Sequence, residues 1–64
     1  MSRSSIIDLS MIIVYRTDKA LLVKDAEDSD PVWLPLSLVE VEGEAGEVGE
    51  ITLPDWLAQE KGLI

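Results

Sequence analysis

The sequence predicts a mainly β domain: a small, curled antiparallel sheet of four to five strands with a short C-terminal helix or 3-10 turns. Three observations carry this expectation. Between Ile6 and Tyr15 every odd position is apolar (Ile7, Leu9, Met11, Ile13, Tyr15), while the even positions mix Ile6, Asp8, Ser10, Ile12 and Val14. That is a period of two with many β-branched residues, which suits a pleated strand better than a helix. The remaining apolar runs are short and are separated by Asp, Ser, Gly and Pro, the residues that favour turns. Helix start and stop signals gather only at the C-terminal end.

Each element follows in order. Met1–Ser4 is expected to fray. Residues 6–15 form a first strand with the odd positions facing the core and Ile6, Ile12 and Val14 on the outer face. Arg16-Thr17-Asp18-Lys19 is polar and short enough for a hairpin connection. Residues 20–24 give a second strand with Leu21 and Val23 on one face. The segment Asp25-Ala-Glu-Asp-Ser-Asp30 is then closed by Pro31. Its four carboxylates repel one another, so it reads as an exposed loop. Val32-Trp33-Leu34 is a third strand ended by Pro35, which cannot donate to a ladder. Pro35-Leu36-Ser37 should make a turn or a single 3-10 turn. From Leu38 to Glu42 the chain extends again, with Val39 and Val41 inward and Glu40 and Glu42 outward.

Gly43, Gly46 and Gly49 predict a loop or irregular hairpin. Residues 50–53 form the last strand, with Ile51 and Leu53 inward. Pro54 suits a first helical position and Asp55 complements a helix N-terminus. Residues 54–61 therefore read as two turns of helix, with Gly62 as a left-handed cap and Leu63 folding back onto Trp56 or Leu57. So short a helix is stable only when docked on the sheet. Trp33, Trp56 and Tyr15 are expected as the largest core contributors. Trp33, next to the acidic loop, is also a candidate interface anchor.

At 64 residues the chain is one domain, residues 1–64. A chain of this size buries only about 60% of the surface that it exposes unfolded. It has no cysteine and no histidine, so neither a disulfide nor a thiolate or imidazole metal site supplements the core. Apolar residues, 47% of the chain, must build it. The same composition excludes Ser–His and Cys–His nucleophilic catalysis. Paired carboxylates acting as acid and base would need an enclosed pocket, for which so few residues leave little room. The expectation is not an enzyme, with no cofactor and no bound metal. An EF-hand loop counted from Asp25 would need Gly at its sixth position and Glu at its twelfth; Asp30 and Leu36 stand there. The first residues superficially resemble a signal peptide. However, Asp8 interrupts the apolar run and no small-residue cleavage site follows. The run is also too short to span a bilayer, so a cytoplasmic protein is expected.

The formal net charge is −8. Such a chain is repelled by nucleic acid and anionic membranes and attracted by a basic protein groove. All its acidic residues except Asp8 and Asp18 lie between Asp25 and Glu60, a stretch without a single lysine or arginine. A surface that only keeps a protein soluble normally mixes both signs. Glu40, Glu42 and Glu44 on an extended segment would point one way, Glu47 and Glu50 would continue the series, and Asp28 and Asp30 could join it across the fold. These seven carboxylates are the candidate partner-binding residues. A fixed row of them can occupy a groove built for phosphates.

The segments Val32-Trp33-Leu34-Pro35-Leu36-Ser37 and Pro54-Asp55-Trp56-Leu57-Ala58, with the ending Lys61-Gly62-Leu63, resemble a group of short phage and mobile-element proteins. Over roughly residues 20–64 these share a "WLP-x-S" segment and a "P-(D/E)-WLA…KGL" tail, often with polar residues where this chain has Leu36 and Leu38. In size, acidity and sheet-plus-3-10 character the chain also resembles small phage anti-CRISPR proteins that inhibit the type I-C system. That resemblance implies an acidic DNA mimic, a monomer, that blocks the large Cascade subunit in the cytoplasm of a bacterial host, with no active-site residue. The alternative is a small phage structural, assembly or regulatory protein whose acidic face binds another basic protein.

Overall fold

The computed structural model describes residues 5–64; the fraying expected of Met1–Ser4 falls outside them. Five strands form one antiparallel sheet: β1 (Ile6–Arg16), β2 (Ala20–Lys24), β3 (Val32–Pro35), β4 (Glu40–Glu42) and β5 (Val48–Pro54). Their order across the sheet is β3-β2-β1-β5-β4. A 3-10 turn (Leu36–Leu38) links β3 to β4, and helix α1 (Asp55–Glu60) follows β5 directly.

This topology forces the sheet to curl. β3 and β4 are the two edges, and flat strands at about 4.8 Å spacing would put them roughly 19 Å apart. They are also offset along the strands. Pro35 pairs with Ala20, beyond the C-terminal end of β1, whereas Glu40 is level with Asp8 through Thr52. The short link through Leu36–Val39, compacted by its 3-10 turn, cannot cover that separation unless the edges bend together. β1 makes the bend. Its first half pairs with β5 from Ile6 to Ile12, and its second half pairs with β2 from Ile12 to Arg16. The β1–β2 register shifts between Ile13 and Tyr15, leaving Val14 as an extra residue. A bulge of this kind bends and twists its strand.

The concave face holds the core: Met11, Ile13, Leu21, Val23, Leu34, Ile51 and Leu53, covered by Val39, Leu57 and Ala58. Every member is non-aromatic, which corrects the expectation that the aromatic residues dominate. Trp33, Trp56 and Tyr15 are 46%, 44% and 57% exposed. The bulge explains Tyr15. Without it Tyr15 would keep the inward phase of Ile13; with it Tyr15 pairs with the outward Leu22. Trp33 pairs with Leu22 from the other side and shares that outer face. Trp56 stays partly exposed on α1 while its neighbours Leu57 and Ala58 are buried.

The helix ends as its sequence predicts. Gly62 has φ +74°, the Gly62 N–H donates to the Gln59 carbonyl, and the Leu63 N–H donates to the Ala58 carbonyl. That pair of bonds is the Schellman arrangement, and it lays Leu63 against the core. β5 begins two residues earlier than its sequence suggests. It includes Gly49, which pairs with Met11. A Cβ on Gly49 would lie 2.5 Å from both the Glu42 carbonyl oxygen and Ile13 Cδ1. This glycine therefore serves close packing inside a strand rather than a loop. Among the described residues no helix is long and apolar enough to cross a membrane.

Candidate carboxylate row on the convex face

Sheet register decides which of the acidic side chains come together. On β4, Glu40 and Glu42 alternate outward around the half-buried Val41. Glu40 pairs with Thr52 and Glu42 pairs with Glu50 on β5. Thr52 in turn pairs with Asp8, and Glu50 with Ser10, on β1. Three adjacent strands thus present two transverse lines on the convex face, Asp8–Thr52–Glu40 and Ser10–Glu50–Glu42. All four carboxylates are exposed. β5 lies between two partner strands, so the backbone beneath Glu50 is held from both sides. The Thr52 hydroxyl donates to Asp8 Oδ1 at 2.5 Å, tying one carboxylate to the strand next to it.

Among the described residues no cation pairs with the row. The ion pair among the described residues is Lys24–Glu27, 3.9 Å apart, and it involves none of these four side chains. The described residues contain no group of three or more acidic side chains placed to hold a metal ion. The carboxylates are therefore spaced at strand intervals instead of converging on one point. Along β4 the two-residue repeat is about 6.8 Å, and between strands it is about 4.8 Å.

The other expected members lie elsewhere. Glu44 does not continue the alternation of Glu40 and Glu42. β4 ends at Glu42, and Gly43 turns the chain with φ +129°. Glu44 and Glu47 belong to the β4–β5 turn, where the Glu47 N–H donates to the Glu44 carbonyl and the Glu47 carboxylate accepts from the Glu44 N–H at 3.3 Å. That turn is fastened to β1 by Ile13 N–H to the Glu47 carbonyl and Gly46 N–H to the Ile13 carbonyl. Asp28 and Asp30 are exposed in the β2–β3 connection, on the opposite side of β1 from β5 and β4. Of the seven expected residues, Glu40, Glu42 and Glu50 share the row.

Asp8 is the member that sequence reasoning passed over. It reads there as an interruption of an apolar run. Its even position in a period-two strand was the available signal, since it shares that face with Ser10 and Ile12. The convex face also carries an apolar line on the other half of the sheet, Trp33–Leu22–Tyr15 across β3, β2 and β1. No protein-family model, no curated protein and no solved structure matches the chain.

Proposed function

We propose that this chain is an anti-CRISPR inhibitor, an acidic mimic of duplex DNA that binds a DNA-binding subunit of a type I Cascade complex and blocks target recognition. The large subunit is the expected target. The observation that carries this reading is the row Asp8, Glu40, Glu42 and Glu50, four carboxylates on three hydrogen-bonded strands, none of them in an ion pair among the described residues. Its repeat along β4 is about twice the 3.4 Å axial spacing of phosphates on one DNA strand. Arg and Lys side chains that grip phosphates pair equally well with carboxylates held at fixed separations. The net charge of −8 steers the chain toward such a surface and away from nucleic acid itself. The inhibitor would act in the cytoplasm of the bacterial host, without catalysis.

The test is competition between the protein and a target duplex for purified type I-C Cascade. Replacing Glu40, Glu42 and Glu50 by lysine reverses three charges, taking the net charge from −8 to −2. The folded triple variant should lose inhibition, and wild-type inhibition should weaken steeply with added salt as the attraction is screened. Inhibition by the folded triple variant at wild-type strength rejects the proposal.

A second reading is favoured by the line Trp33–Leu22–Tyr15, in which the exposed Trp33 and Tyr15 flank the half-buried Leu22, with Val48 exposed on β5. Exposed aromatic side chains of this kind are common interface anchors. In that reading the chain is a structural or assembly protein docking through the apolar half of its convex face. Loss of function on Trp33→Ala, with none on reversal of the carboxylates, would select it.

A further inference from the structure

Among the described residues, the end of β5 is left uncovered on one side. β4 begins at Glu40, opposite Thr52, so Leu53 and Pro54 extend past the first residue of their neighbour. The chain instead approaches β4 from the 3-10 turn through Val39. On the other side Ile6 pairs with Pro54 and closes the space. The result is an open groove of about 390 Å³, lined by the apolar residues Ile6, Leu38, Val39, Leu53 and Pro54. Its polar edge comes from Glu40 and Thr52, with Ser37 beside them. Val39 and Leu53 are buried, whereas Ile6 and Leu38 remain 64% and 44% exposed. The groove therefore has an apolar wall facing solvent and a carboxylate at its mouth. A second carboxylate, Asp8, stands on the far side of Thr52 in the same transverse line, fixed by the Thr52 hydroxyl.

This combination selects its occupant. A wholly apolar side chain would desolvate Glu40 without compensating it, which is unfavourable. An anion would be repelled. A long cationic side chain satisfies both parts, because its methylenes cover apolar surface while its head stays with the charge. Arginine fits better than lysine. Its guanidinium is weakly hydrated, is planar against apolar walls, and forks onto a carboxylate with two hydrogen bonds.

We propose that the groove seats one arginine side chain of the basic partner protein, its stem along Ile6, Leu38 and Pro54 and its guanidinium on Glu40. This rests on the reading of the carboxylate row as the surface that receives a basic protein, and adds a point of recognition that phosphates do not provide. The phosphate backbone offers a gripping subunit charge but no apolar trough. A mimic with this groove holds its target by one buried stem as well as by charge.

The probe is N-acetyl-arginine N-methylamide, titrated into ¹⁵N-labelled protein at low salt. The citrulline derivative serves as a neutral isostere and the lysine derivative as a second cation. Saturable amide shifts are expected at Leu38, Glu40, Thr52 and Leu53, with binding about tenfold weaker for citrulline. Leu38→Ala and Ile6→Ala, which lie outside the carboxylate row, should each reduce the arginine affinity several-fold. Three outcomes overturn the inference: no saturable shift at those amides, equal binding of citrulline, or lysine binding as tightly as arginine. The Cascade competition separates the two readings. Inhibition that persists while the groove takes no arginine removes this inference and leaves the mimic standing. Arginine binding without inhibition removes the mimic and leaves a site for a basic partner of another kind.

Discussion

Glu42 and Glu50 face each other directly across β4 and β5, both exposed and both outside the salt bridge found among the described residues. Two carboxylates in that relation repel, and like charges opposite each other weaken a sheet by a few tenths of a kcal/mol to about 1 kcal/mol. A surface built only for solubility could place one of them elsewhere. Replacing either by glutamine should therefore stabilise the protein, by roughly 0.2–1 kcal/mol. The gain should shrink in 1 M salt, where the Debye length falls to about 3 Å. Urea unfolding of Glu42→Gln and Glu50→Gln at low and high salt measures this. A loss of stability, or a gain indifferent to salt, would show that the pair is not repulsive.

Position should matter more than net charge. Glu50→Lys, Glu44→Lys and Asp28→Lys change the total charge equally, yet only Glu50 lies in the row. Against the proposed partner, Glu50→Lys should weaken binding by about tenfold or more, and the other two by a few-fold at most, chiefly through slower association. Association and dissociation rates for the three variants decide the matter. Equal losses across all three would mean that the protein acts through its overall charge alone.

Much of this architecture was legible in the chain. The period of two in β1, the Pro35 stop and the C-terminal helix signals are local patterns that the backbone follows to within a residue: β3 ends on Pro35 itself, and Pro54 ends β5 and caps α1 instead of opening it. What could not be read was long-range. The bulge at Val14 has no sequence signature of its own, and it alone sends Tyr15 outward. Asp8 and Thr52 meet 44 residues apart in sequence, so membership of the row depends on β1–β5 register, which no local pattern encodes. Glu44 was misplaced for a related reason. The glycine-rich turn begins one residue before it, and alternation stops where the strand stops.

At Gly49, β5 lies against the Glu42 carbonyl of β4 and the Ile13 side chain of β1. Gly49→Ala should destabilise strongly, because its Cβ would meet backbone at the Glu42 carbonyl as well as the Ile13 side chain, each at 2.5 Å. Overpacking of this kind costs typically 1–3 kcal/mol, a large part of what a core of this size supplies. Gly62→Ala meets no neighbouring atom and loses only the ease of a positive φ, costing about 1 kcal/mol. Thermal melts followed by circular dichroism should rank Gly49→Ala well below Gly62→Ala. The reverse order would mean that the strands separate easily at that point.

The aliphatic core and the outward aromatic residues together make a sharper prediction. Leu34 is fully buried and its neighbour Trp33 is 46% exposed, on opposite faces of the same strand. Leu34→Ala should cost about 2–5 kcal/mol, the usual range for a leucine removed from a packed interior. In so small a domain that loss approaches the whole folding free energy. Trp33→Ala removes a larger side chain that is only about half covered and leaves no enclosed cavity, so it should cost less than Leu34→Ala, about 1–2 kcal/mol. Unfolding midpoints in urea, read by circular dichroism so that loss of the indole does not alter the signal, compare the two directly. A Trp33→Ala variant as unstable as Leu34→Ala would place the indole inside the fold after all. It would also remove the apolar line with Leu22 and Tyr15 from the surface available to a partner.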